Sequence, residues 1–172
     1  MAYNAGASSG NLVLIQEQVA SASADLEFTT GITYNEYVLR INNLEVSVDQ
    51  ESLYCTLSIN GGSTYLAANY VGNIINFRLD LAGVGIGGNP TDKWYLSQVV
   101  NSSTTQSGQY YFSDMLTGNP SMNGQITPFN FGVEYGSLAF GRQSTGAINA
   151  IKIFPGSGNI AQGTFKLYGV QD

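Results

Sequence analysis

Apolar and polar side chains alternate one by one along several segments of the chain, and this period of two constrains the fold more than any other feature. In segments 37–42, 53–59 and 164–168 every second residue is apolar. Successive side chains of a β-strand point to opposite faces, so the pattern is typical of strands with one buried face. Helical periodicity is nearly absent, and segment 12–24 is predicted to be a pair of strands. The alternation predicts a core that includes Leu39, Ile41, Leu53, Cys55, Leu57, Phe165 and Leu167.

Turn signals separate these segments. The pair Asn60-Gly61 predicts a β-hairpin between the strand that ends at Ile59 and segment 64–66. The glycine-rich segment 83–88 lacks the Gly-Lys-Ser/Thr of a phosphate-binding loop and is predicted to be a plain surface loop.

About ten strands are expected, at a spacing typical of a sandwich. We therefore predict an all-β fold, a jelly-roll-like sandwich of two antiparallel sheets that covers residues 12–172. An immunoglobulin sandwich is less consistent with the sequence, because the Cys…Trp…Cys pattern is missing. Residues 1–11 are small and polar and are predicted to form a flexible N-terminal arm.

The chain carries few charges and no cluster of basic residues. Charged residues make up 10% of the sequence, against roughly 25% in a typical globular domain. The six basic residues are scattered and the net charge is −6, so nucleic-acid binding, which needs clustered cations, is not expected. The sequence also shows no signal peptide and no apolar run of membrane-spanning length, so no membrane partner is expected.

Residues for catalysis or metal binding are scarce. The chain has no histidine, the usual general base, and one cysteine, which is expected to be buried. Two carboxylates could still hydrolyse a glycosidic bond, but Asp25 and Glu27 are expected on a polar strand face, and Asp49 and Glu51 in a loop. Zinc would need a Cys or His cluster and calcium a carboxylate-dense loop. We predict no catalytic residue, no metal site and no cofactor.

Adjacent aromatic residues are the best candidates for contact with a partner. In a strand, at least one residue of Trp94-Tyr95 and one of Tyr110-Tyr111 must face outward. Exposed rings can stack on a sugar or anchor a protein interface. They can equally complete the second face of a sheet, and the sequence leaves both interpretations open.

Three segments carry a resemblance to a known family. They are 26–41, with Phe-Thr followed by Tyr-x-x-Tyr; 57–65, with Ser-x-Asn-Gly-Gly-Ser-Thr; and 158–170, with Gly-Thr-Phe-x-Leu-Tyr-Gly. Together they resemble small β-sandwich domains in the virion structural proteins of tailed bacteriophages. The resemblance spans most of the chain, although segment 82–125 shows little of it.

The resemblance implies a non-enzymatic virion structural protein. A capsid decoration (cement) protein is favoured, because the chain has neither the heptads nor the repeats of a fibre shaft. The implied partners are the major capsid protein and further copies of the chain in a homotrimer. The implied location is the outer surface of the head, after synthesis in the host cytoplasm. The alternative is a tail-fibre or baseplate protein that binds a host surface glycan. A non-viral carbohydrate-binding module and a glycosidase rank below it.

Overall fold

The computed structural model describes residues 11–78, 84–88, 90–100, 102–128 and 135–171. These residues contain no helix and form two antiparallel sheets of eight and four strands. The strands are β1 (Asn11–Ser23), β2 (Leu26–Phe28), β3 (Tyr37–Val46), β4 (Glu51–Ser58), β5 (Tyr70–Arg78), β6 (Val84–Gly88), β7 (Trp94–Val100), β8 (Gln106–Ser113), β9 (Ser121–Pro128), β10 (Tyr135–Gln143), β11 (Ala150–Pro155) and β12 (Ile160–Gln171). The predicted all-β sandwich is confirmed, with twelve strands where about ten were expected.

The order of the strands is that of a jelly roll with two inserted hairpins. The large sheet runs β1-β12-β3-β8-β9-β10-β5-β6 and the small sheet runs β2-β11-β4-β7. Without the hairpins β5-β6 and β9-β10, the orders are β1-β12-β3-β8 and β2-β11-β4-β7. The chain then crosses to the other sheet at every step except from β4 to β7, which is the pattern of a jelly roll. The two hairpins join side by side and extend only the large sheet.

The core lies between the two sheets and contains every residue that the alternation placed there. All seven predicted core residues are fully buried. At one end of the core, Trp94 packs edge-on against Tyr70, with ring centroids 5.3 Å apart, and lies 6.5 Å from Phe112. Burial of such side chains is the main source of stability in a sandwich of this size.

The predicted hairpin at Asn60-Gly61 is wrong. β4 ends at Ser58, Ile59 is exposed, and the next strand, β5, lies in the other sheet. The turn itself is real: the hydroxyl of Ser58 accepts a hydrogen bond from the Gly62 amide at 3.1 Å. Gly61 and Gly62 have φ values of +70° and +87°, which glycine adopts without strain. The turn redirects the chain across the small sheet instead of pairing two strands.

Two further predictions of local structure are corrected. Segment 12–24 is not a strand pair, because β1 pairs with β12 along its whole length, with a bulge between Leu14 and Gln16 that shifts the register by one residue. Segment 83–88 is not a plain loop, because β6 pairs with β5 from Val84 to Gly88. Main-chain pairing makes few demands on side chains, so a glycine-rich edge strand forms here.

The predicted arm lies almost entirely outside the described residues, which begin at Asn11. Asn11 itself pairs with Gln171 as the first residue of β1. Asn11, which was predicted to belong to the arm, therefore belongs to the sandwich.

Candidate functional site

The outer side of the eight-stranded sheet, which we call the open face, carries most of the exposed large hydrophobic side chains of the described structure. The small sheet packs against the inner side of this sheet, through contacts of β7 with β5, β9 and β10, and no described strand packs on its outer side. Nine large hydrophobic side chains are exposed in the described residues, and six of them belong to strands of the open face. These six are Leu12, Leu14, Val19, Val71, Tyr111 and Phe140. Several exposed large hydrophobic side chains on one face mark a candidate interaction site.

The register of the strands aligns one row of these side chains across the open face. Tyr168 pairs with Val38, Val38 with Tyr111, Tyr111 with Asn123, and Asn123 with Phe140. Paired side chains on one face of a sheet have Cβ atoms about 5 Å apart. Tyr111 is 48% exposed and Phe140 42% exposed, so the row presents two accessible rings near its centre.

The neighbouring row is polar and carries two cations and one anion. The Lys166 ammonium lies 3.2 Å from the Glu17 carboxylate. The Arg40 guanidinium donates to the Gln109 side-chain oxygen at 3.1 Å and lies 5.2 Å from the centre of the Tyr168 ring. Because the partners of Arg40 are neutral, the row contributes hydrogen bonding and one positive charge in excess.

A shallow groove of about 290 Å³ lies between the two rows. Its lining combines two aromatic rings, a leucine and three side-chain amides, from Gln109, Tyr111, Asn123, Gly124, Gln125, Leu138 and Phe140. The groove contains no charged side chain and no nucleophile, so it can supply apolar contact and neutral hydrogen bonds.

A larger cavity of about 620 Å³ lies at one end of the open face. It is lined by Asn69, Val71, Asn119, Ser121, Arg142, Gln143 and Ser144. Arg142 forms no ion pair with any described residue. The Gln143 amide nitrogen donates to the Ala68 carbonyl at 3.2 Å, whereas its buried oxygen has no partner in the described structure. Among the described residues, the cavity therefore adds one cation without an ion-pair partner and one acceptor without a hydrogen-bond partner to the rim of the face.

Trp94 and Tyr110, two of the four predicted contact residues, lie in the core. Both are fully buried, and the Tyr110 hydroxyl donates to the Leu96 carbonyl. Burial raises the pKa of Tyr110 well above its usual value. The prediction of partner or glycan contact is wrong for these two because, of each adjacent pair, one ring faces inward. It stays a prediction for Tyr111, on the open face, and for Tyr95, on the small sheet.

The sequence prediction missed Phe140, and the reason is local. In β10 the residues that face the core are small, Ala139 and Gly141, while Phe140 faces outward. A Cβ atom at Gly141 would lie 2.4 Å from the Trp94 indole nitrogen, so the tryptophan of the opposite sheet fills the space over β10. Alternation alone would place Phe140 on the side of β10 that faces the core, whereas it lies on the outward side.

The outer side of the small sheet carries a second group of aromatic rings. The Tyr54 ring centroid lies 4.9 Å from that of Tyr95 and 5.7 Å from that of Phe154. Burial, followed by the neighbouring Tyr95, raises the pKa of Tyr54 to about 12. Beside these rings is a cavity of about 390 Å³, which we call the small-sheet cavity.

The remaining reactive groups form no catalytic arrangement within the described residues. Burial raises the pKa of the Cys55 thiol far above its usual value, so the reactive thiolate is suppressed. Asp25 and Glu27 share the Lys152 ammonium, at 3.5 Å and 3.4 Å. Asp80 and Glu134, two further carboxylates, lie outside the described residues. No group of three or more potential metal ligands occurs in the described part of the chain.

Comparison with family models, with curated proteins and with solved structures finds no match to this chain. In the described residues, no helix has the length and apolarity needed to cross a membrane. The link to phage virion proteins therefore rests on the sequence resemblance alone.

Proposed function

We propose that this chain is a non-enzymatic structural protein of a tailed-bacteriophage virion, which decorates the capsid by binding the outer surface of the head through its open face. One observation carries the proposal: a sheet eight strands wide exposes six large hydrophobic side chains on its outer side. Together with the sequence resemblance, this surface supports a binding role for the sheet itself.

The size of the open face suits a protein partner better than a small ligand. Eight strands spaced about 4.8 Å apart span about 34 Å, and six residues along a strand span about 20 Å. The product is an area of about 700 Å², close to the roughly 800 Å² that each partner buries in a standard protein–protein interface. A broad surface of this area can match another broad surface, such as that of a capsid shell.

The charge distribution also favours a neutral protein surface as the partner. The chain as a whole has a net charge of −6. The outward-facing charged side chains of β1, β3, β10 and β12, in contrast, are three basic and two acidic residues, namely Arg40, Arg142, Lys166, Glu17 and Glu45. The open face thus does not share the net negative charge of the chain. It can approach a negatively charged shell without like-charge repulsion.

A homotrimer remains part of this proposal. The edge strand β1 is 13 residues long, and Leu12, Leu14 and Val19 are exposed on it. Long edge strands with exposed apolar residues readily pair with another chain. Light scattering of the purified protein at micromolar concentration measures the oligomeric state directly. If the protein is a monomer, the trimer is no longer part of the proposal.

The docking role is tested by binding of the purified protein to particles assembled without it. The double variant Tyr111→Ser, Phe140→Ser removes both central rings of the open face. Because truncation of central aromatic anchors commonly costs 2 kcal/mol or more, we expect binding to weaken at least about thirtyfold. Both side chains are exposed, so the thermal stability should change little.

A matched control is the double variant Ile59→Ser, Leu116→Ser. These side chains are 46% and 44% exposed, almost the same as 48% and 42% at the test positions, and lie outside the strands of the open face. Ile59 follows β4 of the small sheet, whereas Leu116 lies in the turn that joins β8 and β9 of the open face, so Ile59→Ser alone is the stricter control; it should bind as wild type does. Equal binding by the test variant would show that the open face is not the contact, and failure of the wild type to bind heads would end the decoration proposal.

The second candidate is a receptor-binding protein of the tail fibre or baseplate. The small-sheet cavity favours it, because aromatic rings beside a cavity are a common feature of ligand sites. Copy number separates the two roles. Quantitative mass spectrometry of purified virions should find hundreds of copies of a decoration protein, but at most a few dozen of a tail protein.

A further inference from the structure

The small-sheet cavity has a floor made by the outer side of the four-stranded sheet and walls made by loops. Thr56, Lys152 and Phe154 lie on the floor, on the neighbouring strands β4 and β11. The walls are contributed by Ala24, Asp25, Tyr65, Leu66, Ala67, Asp92 and Lys93. The wall that contains Tyr65 is held by the Leu66 amide, which donates to the Leu57 carbonyl at 2.8 Å. The cavity is therefore built by the fold and is not a gap beside a loose loop.

Two buried hydroxyl groups at this cavity make no well-formed hydrogen bond in the described structure. They belong to Thr56, which is 7% exposed, and to Tyr65, whose hydroxyl interacts only at longer range with the Glu27 carboxylate. A buried hydroxyl without a partner is costly, and such groups in native proteins call for an explanation such as a bound molecule. Both residues line the same cavity, so a single bound ligand can satisfy both.

The charged groups around the cavity all contact a group of the opposite sign. Lys152 contacts Asp25 and Glu27, and Lys93 lies 3.0 Å from Asp92. The three carboxylates outnumber the two ammonium groups, which disfavours an anion, and a cation would have to compete with an ammonium group that already contacts its carboxylate. Fixed carboxylate and ammonium groups do offer acceptors and donors side by side, which is the pattern that a neutral molecule with several hydroxyl groups can use.

Aromatic rings beside the floor add an apolar contact surface. Phe154, which lines the cavity, packs against Tyr54, and Lys93 lies 4.9 Å from the centre of the Tyr54 ring. Across the cavity, Lys152 lies 4.7 Å from the centre of the Tyr65 ring. Aromatic faces are suited to pack against the C–H face of a sugar ring, while hydroxyl and charged groups bond its edge.

We propose that the small-sheet cavity binds one ring of a neutral carbohydrate. Its volume of about 390 Å³ lies within the range of roughly 300–1,000 Å³ that is usual for small-molecule sites. The inference goes beyond the decoration role and does not depend on it, because the cavity lies on the sheet opposite to the open face. A protein docked by the open face would present this cavity to the surroundings of the particle.

The test uses the purified full-length protein on an array of neutral, sialylated and uronic-acid oligosaccharides. The sugar that binds most tightly is then titrated by calorimetry, once as the free monosaccharide and once as the terminal residue of an oligosaccharide. The two affinities show whether the cavity binds a free sugar or the end of a polysaccharide. We expect neutral glycans to bind, and sialylated and uronic-acid glycans not to.

Two nearly isosteric variants locate the site. Thr56→Val and Tyr65→Phe each remove one buried hydroxyl. Thr56→Val should be at least as stable as the wild type, because it removes an unsatisfied buried group, and the affinity of each variant for the sugar should fall about fivefold, the effect of one net hydrogen bond. The control Tyr111→Ser, on the open face, should bind the sugar as wild type does.

Three results would overturn the inference. One is the absence of binding to any neutral glycan at millimolar concentration. Another is unchanged affinity in both Thr56→Val and Tyr65→Phe, and the third is a loss in Tyr111→Ser as large as in those variants. Failure of particle docking leaves this measurement unaffected, so the two proposals can fail separately.

Discussion

Replacement of Leu57 by alanine tests how β4 is placed in the sandwich. Leu57 is fully buried between the sheets, where it pairs with Ile151 of the neighbouring strand. The Leu57 main chain is fixed independently of its side chain, because its amide donates to the Tyr70 hydroxyl and its carbonyl accepts from the Leu66 amide, both at 2.8 Å. The backbone should therefore stay in place, and the substitution leaves a cavity.

The expected loss follows from the atoms removed. Leucine to alanine deletes three carbon atoms, which at about 0.8 kcal/mol each corresponds to about 2.4 kcal/mol of transfer free energy. The unfilled space adds a cavity term, which brings the expected loss of unfolding free energy to about 2.5–5 kcal/mol. Ile59→Ala is the control: this residue lies two positions further along the alternating pattern but is 46% exposed, so its loss should stay below about 1 kcal/mol.

Urea denaturation measures both losses. The chain has a single tryptophan, Trp94, which is fully buried, so its fluorescence reports unfolding. A loss below about 0.5 kcal/mol for Leu57→Ala would refute the reasoning, because a shift of one residue in a strand moves every side chain to the opposite face. A similar loss in both variants would show that the strand continues past Ser58.

Three further predictions follow from the packing and the pKa shifts. Gly141→Ala should cost about 1–3 kcal/mol in unfolding free energy and change the Trp94 fluorescence, because the new methyl group would lie 2.4 Å from the indole nitrogen. Gly88→Ala is the control: the new methyl group would have no atom within 4 Å, so the fluorescence should stay unchanged. The contribution of Tyr54 to stability should be fully present below pH 10 and be lost between pH 10 and 12, because burial raises the pKa of Tyr54 from 10.0 to about 12 and the unfolded protein releases this proton first; an absorbance titration at alkaline pH that shows ordinary tyrosines in the native protein would contradict this. Cys55 should resist a thiol reagent in the native protein and react in urea, because burial raises its pKa; rapid native reaction would show that the core opens.

The sequence was sufficient for the fold class and for the strands with regular alternation. Leu39, Leu57 and Phe165 could be assigned to the core because their neighbours alternate strictly. The pattern failed where the partner strand decides the outcome: glycine-rich β6 forms through main-chain pairing, which leaves no trace in side-chain periodicity. At Ile59 the pattern continues beyond the end of the strand.

The candidate sites were less predictable than the fold, again for physical reasons. Tyr111 could be named as an outward ring, but its partner Phe140 could not, because the space over Gly141 is filled by a tryptophan from the other sheet. The small-sheet cavity joins Thr56, Tyr65 and Lys152 from three separate segments. None of these residues belongs to a recognisable motif, so only the three-dimensional arrangement brings them together.

Cryo-electron microscopy of the virion, compared with particles assembled without this chain, tests the central claim most directly. The account predicts additional density on the outer surface of the head, into which the sandwich fits with the eight-stranded sheet toward the shell and the small sheet outward. Density on the tail only, or a fit on the head with the four-stranded sheet toward the shell, would contradict the account.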